Sequence, residues 1–168
     1  MYTGTKWLVG HDAIRWLALP GSALFALLIG ISVYVFDRNW ATVQFLAPFA
    51  ASSGEQGDVF GPLGQVLPAF CHAYAFSLLL ILTLGRTPRM RILGAFAWFA
   101  VASGLETMQA ERVSALFHRL ATLYPDSPVL GSVSNYVVNG HFDPGDLLAA
   151  GLGCAIAWLV ASVPEEET

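Results

Sequence analysis

Charged side chains are scarce in this sequence. Only 12% of its 168 residues are Asp, Glu, Lys or Arg, whereas roughly 25% is usual for a soluble domain. Apolar residues make up 55% of the chain, and its mean hydropathy is +0.59. A water-soluble protein of this length could not bury so much apolar surface, so the composition predicts a membrane protein. The net charge of −4 and the lack of a basic patch argue against a nucleic-acid partner.

Cysteines and catalytic motifs are also few. Cys71 and Cys154 each lie inside an apolar run without Cys-x-x-Cys spacing, so we interpret them as small buried residues and not as a disulfide or metal site. The sequence contains no Gly-x-Ser-x-Gly, no His-Glu-x-x-His and no phosphate-binding glycine loop. We therefore predict no catalytic residue, no metal and no cofactor. An intramembrane enzyme is the third hypothesis, after the two non-catalytic functions given at the end of this section.

Long apolar runs are what the sequence has in abundance. Four of them predict transmembrane helices at residues 14–36, 63–84, 92–108 and 144–163, close to the roughly 20 residues that cross a bilayer. Asp143 and Pro144 predict the start of the last helix, because Asp caps free amides and Pro favours the first helical position. Asp146 follows in the first turn, where its charge suits the helix dipole. The sequence thus predicts one all-α transmembrane domain.

An amphipathic segment separates the third and fourth runs. Its apolar residues recur at helical spacing opposite charged ones, which predicts a helix lying in the membrane interface. These apolar residues are Val113, Leu116, Phe117, Leu120 and Leu123. The prolines and glycines that follow, Pro125, Pro128, Gly131 and Gly140, predict an irregular loop leading to the fourth span.

Three arginines between the second and third spans determine the predicted orientation. Arg86, Arg89 and Arg91 occur within six residues and without an acid, and the positive-inside rule places such a loop in the cytoplasm. Two spans on each side of this loop then place both termini in the cytoplasm. Lys6 and Arg15 agree with that orientation.

Six polar residues are predicted to lie in the outer half of the membrane. They are His72, Tyr74, Glu106, Gln109, Arg112 and Asp146. Ionisable groups inside a membrane cost ~2.5–3.5 kcal/mol, so they usually face one another and often mark function. One hypothesis is an outer pocket with Glu106 and Asp146 as acids and His72 as a proton partner or donor, which binds a lipid headgroup or an undecaprenyl-type substrate, or holds a metal. The structural alternative is that Glu106 or Asp146 pairs with Arg112 and holds the helices in register.

The order of these residues resembles the VanZ-like family of small bacterial membrane proteins. The resemblance covers about residues 65–160 and includes a Glu-x-x-Gln sequence and an Asp that opens a glycine-rich last helix. One departure is Ala150, where the family usually has Asn. The resemblance implies a four-helix protein of the bacterial inner membrane. The founding member of that family is associated with low-level resistance to the glycopeptide teicoplanin.

Two functional hypotheses of different classes follow. The first is an envelope-associated VanZ-like protein that binds a lipid or another amphiphile in its outer polar pocket. The second is a non-catalytic accessory subunit of a larger respiratory or photosynthetic membrane complex. Membrane lipids are the expected partners in the first case, and a larger integral membrane protein complex is the expected partner in the second.

Overall fold

The described part of the chain is all-helical, as the sequence predicts. A computed structural model describes residues 8–43, 46–52, 57–85 and 87–163. These contain the α-helices α1 (Leu8–Asp37), α2 (Leu63–Leu84), α3 (Pro88–Met108), α4 (Glu111–Leu123), α5 (Pro128–Asn139) and α6 (Pro144–Ser162). Two short 3-10 helices, Trp40–Thr42 and Ala47–Ser52, lie between α1 and α2.

Helix α2 lies at the centre of a bundle and packs against α1, α3 and α6, while α3 also packs against α6. The core follows α2, where Cys71, Ala75, Leu78 and Ile81 are buried at helical spacing. The facing positions on the neighbouring helices are mostly alanines: Ala23, Ala26, Ala95, Ala157 and Ala161. Small side chains let helix axes approach closely, which is how membrane helices gain packing contacts.

Three of the four predicted spans coincide with helices that are long and apolar enough to cross a membrane. Among the described residues these are Leu17–Asp37 within α1, Leu63–Leu84 and Pro144–Ser162. The fourth predicted span lies within α3, whose first turn carries Arg89 and Arg91 and is therefore less apolar. Large apolar side chains cover the outside of the bundle: Leu24 is 59% exposed, Phe25 65%, and Leu148 71%. Water is a poor solvent for such a surface.

The segment between α3 and α6 forms a helical hairpin. The predicted amphipathic helix is α4, but the predicted irregular loop contains α5. That prediction was wrong because Pro128 begins a helix and does not interrupt one. Pro128 occupies the first turn after the N-cap Ser127, whose side chain accepts from the backbone N–H of Leu130, and proline is favoured at that position. Helices α4 and α5 pack mainly against each other.

Two groups of charged side chains lie at opposite ends of the bundle. At the arginine end, defined by Arg89 and Arg91, α2 and α6 finish and α3 begins. Arg91 donates to the carbonyl oxygens of Gly85 (3.2 Å) and Ala161 (2.9 Å), which lie at helix C-termini that need donors. At the acidic end, defined by Asp37, Glu106, Asp143 and Asp146, α1 and α3 finish and α2 and α6 begin. Lys6 and Arg86, used in the orientation argument, lie outside the described residues.

Candidate functional site

The start of α6 is bound to the end of α3 through Glu106. The backbone N–H of Asp143 donates to Glu106 Oε1 at 2.6 Å. The Asp143 side chain accepts in turn from the backbone N–H of Gly145 at 2.7 Å, which confirms its predicted role as the helix cap. Hydrogen bonds to ionised acceptors are among the stronger ones in proteins. The Glu106 carboxylate therefore holds the residue that precedes α6 in place.

Gln109, one turn after Glu106, contacts the connection from α5 to α6. Its side chain interacts with the Tyr136 hydroxyl and lies so close to Gly140 that an added Cβ there would overlap it. Burial raises the pKa of the Tyr136 phenol, the Gln109 bond lowers it, and the Glu106 and Asp146 carboxylates raise it. Glu106 and Gln109 share one face at the end of α3, and both contact the segment from residue 136 to residue 143.

Asp146 lies at the centre of the acidic end. Its carboxylate interacts electrostatically with those of Glu106 and Asp143 and with the guanidinium of Arg38. Its Oδ1 atom is buried and has no hydrogen-bond donor within the described part of the chain. Leaving a buried acceptor unsatisfied costs about 1–3 kcal/mol, and more for a charged group. A ligand with a hydrogen-bond donor would remove that cost.

Arg38 is a site residue that the sequence analysis missed. Its Nη2 donates to the carbonyl oxygens of Gly64 at 3.3 Å and Gln65 at 3.4 Å in the first turn of α2. Pro68 has no N–H, so the Gly64 carbonyl lacks its helical donor, and Arg38 supplies one. The signal in the sequence is the proline one turn inside α2, but it does not show which residue provides the donor.

His72 and Tyr74 face α1 and lie apart from the carboxylates. His72 Nδ1 is 2.7 Å from the carbonyl oxygen of Pro68, and because a carbonyl only accepts, Nδ1 carries the proton. The His72 ring lies 6.3 Å from that of Tyr34 and parallel to that of Phe76. Tyr74 Oη forms a hydrogen bond with Ser22 Oγ at 2.9 Å. Neither residue hydrogen-bonds Glu106 or Asp146 among the contacts of the described residues.

Tyr34 connects these two regions. Its ring neighbours that of His72, and its hydroxyl interacts electrostatically with Arg38, Asp146 and Tyr136. His72 thus neighbours Tyr34, and Tyr34 in turn interacts with Asp146. A direct proton exchange between His72 and the acids has no contact to support it in the described chain.

Arg112 does not pair with either acid. It is exposed at the start of α4, and no hydrogen bond or ion pair found among residues 8–43, 46–52, 57–85 and 87–163 includes it. The predicted pairing of an acid with Arg112 is therefore not found in these ranges, and Glu106 accepts from the backbone N–H of Asp143 instead. In the same ranges, no three His, Cys, Asp or Glu side chains converge as metal ligands.

The acidic end combines an acceptor without a donor with a nearby cation. Asp37 accepts from the backbone N–H groups of Val59 and Phe60, both at 2.9 Å. Asp37 and Glu106 therefore both satisfy backbone donors of this chain. Arg38 donates to backbone carbonyls of α2 in the same way, whereas Asp146 Oδ1 has no hydrogen-bond partner within the described residues. Comparisons with protein-family models, with curated proteins and with solved structures give no match for this chain. A functional conclusion therefore rests on this geometry.

Proposed function

We propose that this protein is a four-span membrane protein that binds an amphiphile with a zwitterionic headgroup at its acidic end. The observation that carries this proposal is the buried Oδ1 of Asp146, which has no donor in the described chain, with the Arg38 guanidinium acting electrostatically on the same carboxylate. An ammonium group would donate to Asp146, and a phosphate would accept from Arg38. Phosphatidylethanolamine has this chemistry.

The proposed fourth span is α3. Its 21 residues extend about 32 Å, which matches a hydrocarbon core of about 30 Å. It packs against both α2 and α6, so it follows the direction of helices that are apolar enough to span. Arg89 and Arg91 would then lie at headgroup level on the cytoplasmic side of the bacterial inner membrane. This orientation places both termini in the cytoplasm and the acidic end outside.

The α4–α5 hairpin is proposed to lie in the outer membrane interface. Helix α4 is strongly amphipathic, and Leu116 and Leu123 are 55% and 71% exposed. Val129 of α5 is 69% exposed. An amphipathic helix gains free energy when such residues enter the boundary between headgroups and acyl chains. The hairpin would thus lie beside the acidic end.

Membership of the VanZ-like family is a further part of this proposal. Its support is the order of residues in the sequence, and Glu106, Gln109 and Asp146 all belong to the acidic end. Tyr74 and Arg112 do not. If the resemblance extends to function, the protein contributes to low-level teicoplanin resistance. The minimal inhibitory concentration for a deletion strain, complemented with wild-type protein or with Asp146→Asn, tests this directly.

Lipid titration followed by native mass spectrometry tests headgroup binding. The purified protein is titrated with phosphatidylethanolamine and with phosphatidylcholine of identical acyl chains, because the quaternary ammonium of the latter cannot donate a hydrogen bond. We expect about fivefold tighter binding of phosphatidylethanolamine, or roughly 1 kcal/mol. Asp146→Asn should reduce the preference, because Asn keeps an acceptor oxygen but loses the negative charge that strengthens the hydrogen bond. The matched control is Asp126→Asn, since Asp126 is an exposed acid between α4 and α5.

Two results would contradict the proposal. One is equal affinity for the two lipids, and the other is an unchanged preference in Asp146→Asn.

Extraction of native membranes with a mild detergent tests the accessory-subunit hypothesis separately. Stoichiometric co-migration with a larger complex would favour an accessory subunit, whereas a lone 18.0 kDa chain with bound lipid favours the amphiphile proposal.

A further inference from the structure

An apolar groove runs along the outside of the bundle between α3 and α6. Its volume is about 390 Å³, and its walls include Ile92, Phe96, Phe99, Gly151, Ala155 and Trp158. At Gly151 a Cβ atom would stand 3.4 Å from the Phe99 ring, so the absence of a side chain there widens the groove. Phe96 is 65% exposed along the same wall.

The depth of the groove matches one leaflet of a bilayer. Ile92, Phe96 and Phe99 follow one another at helical spacing and form a continuous stripe on α3. Phe99 is ten residues beyond Arg89, which corresponds to about 15 Å along a helix, or half of a hydrocarbon core of about 30 Å. A single acyl chain covers this depth in one leaflet.

Positive charge stands at one end of the groove. Arg89 is exposed and lies three residues before Ile92 and seven before Phe96, so it shares their face of α3. Arg91 Nη1 donates to the Ala161 carbonyl at 2.9 Å, which places this guanidinium where α3 and α6 meet. Neither 87–99 nor 150–163 contains an acid, while Glu165, Glu166 and Glu167 lie outside the described residues. A ligand that fits both features is apolar along its length and anionic at the arginine end.

We propose that this groove binds an anionic phospholipid from the leaflet that faces the arginine end. One acyl chain lies along Ile92, Phe96 and Phe99, and the phosphate contacts Arg89. Planar guanidinium groups suit phosphate oxygens, and a basic residue near an anionic membrane surface attracts such lipids. This inference rests on the proposed span of α3, but it concerns a site at the opposite end from Asp146.

Titration with phosphatidylglycerol and phosphatidylcholine of identical acyl chains, again read by native mass spectrometry, tests the site. We expect phosphatidylglycerol to bind the wild-type protein about tenfold more tightly. Arg89→Gln should bring the two affinities together, and because Arg89 is exposed this change leaves the packing intact. Arg119→Gln, in which an exposed arginine of α4 is changed, is the matched charge control and should bind as wild type does.

A second variant tests the groove itself. Ala155→Phe places an aromatic ring in the groove and should weaken both lipids by about tenfold, with a thermal transition in detergent like that of the wild type. Equal affinities for the two lipids in the wild-type protein would overturn the proposal. So would equal losses in Arg89→Gln and Arg119→Gln. A dimer that dissociates in Ala155→Phe, without loss of lipid, would assign the groove to a second copy instead.

The two lipid-binding proposals can be tested independently of each other. Asp146→Asn should leave the preference for phosphatidylglycerol unchanged, and Arg89→Gln should leave the preference for phosphatidylethanolamine unchanged. Loss of one preference without the other overturns only the corresponding site. If the arginine end and the acidic end are labelled from the same side of the membrane, the four-span arrangement beneath both proposals is wrong.

Discussion

At the scale of single residues, carboxylates at the acidic end accept hydrogen bonds from backbone N–H groups. Asp37 accepts from residues 59 and 60, Glu106 from residue 143, and Asp143 from residue 145. Each N–H belongs to a connection or helix start, where the backbone has no intrahelical partner. These acids thus replace missing backbone hydrogen bonds, and Asp146 is left with an acceptor that the described chain does not satisfy.

Replacing Glu106 tests this role. Glu106→Ala leaves the Asp143 N–H without its acceptor, which should lower the free energy of unfolding by about 1–3 kcal/mol. Glu106→Gln keeps an acceptor oxygen and should lose less. Thermal unfolding in detergent measures both, with Glu111→Gln as an exposed control on α4. Equal losses in Glu106→Ala and Glu106→Gln would show that charge, and not hydrogen bonding, is what matters.

The pairing of Arg38 with Pro68 makes a second prediction. Arg38→Gln should destabilise the protein because the Gly64 carbonyl then loses its donor, at a cost of about 1–3 kcal/mol. In a Pro68→Ala background the restored N–H serves that carbonyl, so the same Arg38 change should cost less. A double-mutant cycle from unfolding measurements gives the coupling. Additive losses would mean that Arg38 stabilises the protein by other contacts.

At the scale of helices, the contact between α2 and α6 depends on close backbone approach. A Cβ atom at Gly153 would stand 2.5 Å from the Phe70 carbonyl oxygen and 2.9 Å from the Tyr74 nitrogen. Both are backbone atoms of α2, so they cannot move aside as a flexible side chain would. This glycine therefore sets the distance between the two helices that share the most contacts in the bundle.

Gly153→Ala should thus destabilise the protein by about 1–3 kcal/mol, the usual range for overpacking. Gly104→Ala is the matched control within α3, because a Cβ there meets nothing within 4 Å. It should be neutral or should stabilise by up to about 1 kcal/mol through helix propensity. Unfolding in detergent compares the two variants, and a harmless Gly153→Ala would show that α2 and α6 are less tightly packed than described.

At the scale of the whole molecule, the described charged side chains of the bundle lie at its two ends. Arg89 and Arg91 lie at one end, and four of the described acids lie at the other together with Arg38. The surface between them carries large exposed apolar side chains. A bilayer accommodates this distribution, because its core is apolar and its cytoplasmic surface attracts arginine.

Labelling of introduced cysteines tests the orientation. Thr87→Cys reports on the arginine end and Asp126→Cys on the α4–α5 turn, and both positions are exposed. The native Cys71 and Cys154 are only 2% and 4% exposed, so their background labelling should be low. A membrane-impermeant maleimide added to spheroplasts should modify Asp126→Cys at once and Thr87→Cys only after lysis. The reverse pattern would invert the proposed topology.

Local signals in the sequence were sufficient for most of the helical framework. The apolar runs predict α1, α2 and α6, and Asp143-Pro144 predicts the start of α6, because hydropathy and helix capping involve only neighbouring residues. The apolar periodicity likewise predicted α4. Local signals failed for α5, because a Ser-Pro sequence is typical of both loops and helix starts. The capping hydrogen bond of Ser127 determines which of the two forms.

The partners of the polar residues depend on tertiary structure alone. Glu106 and Asp143 are 37 residues apart, and Ser22 and Tyr74 are 52 apart. Which side chains meet across two helices depends on the rotation of each helix about its axis and on the distance between the axes. The sequence shows the glycine at position 153, but only the packed structure shows that it lets α2 and α6 approach closely. The sequence alone determined that the chain forms apolar helices with polar residues near one end. Packing decided that Glu106 accepts from the Asp143 N–H, that His72 neighbours Tyr34, and that Asp146 Oδ1 is left without a donor among the described residues.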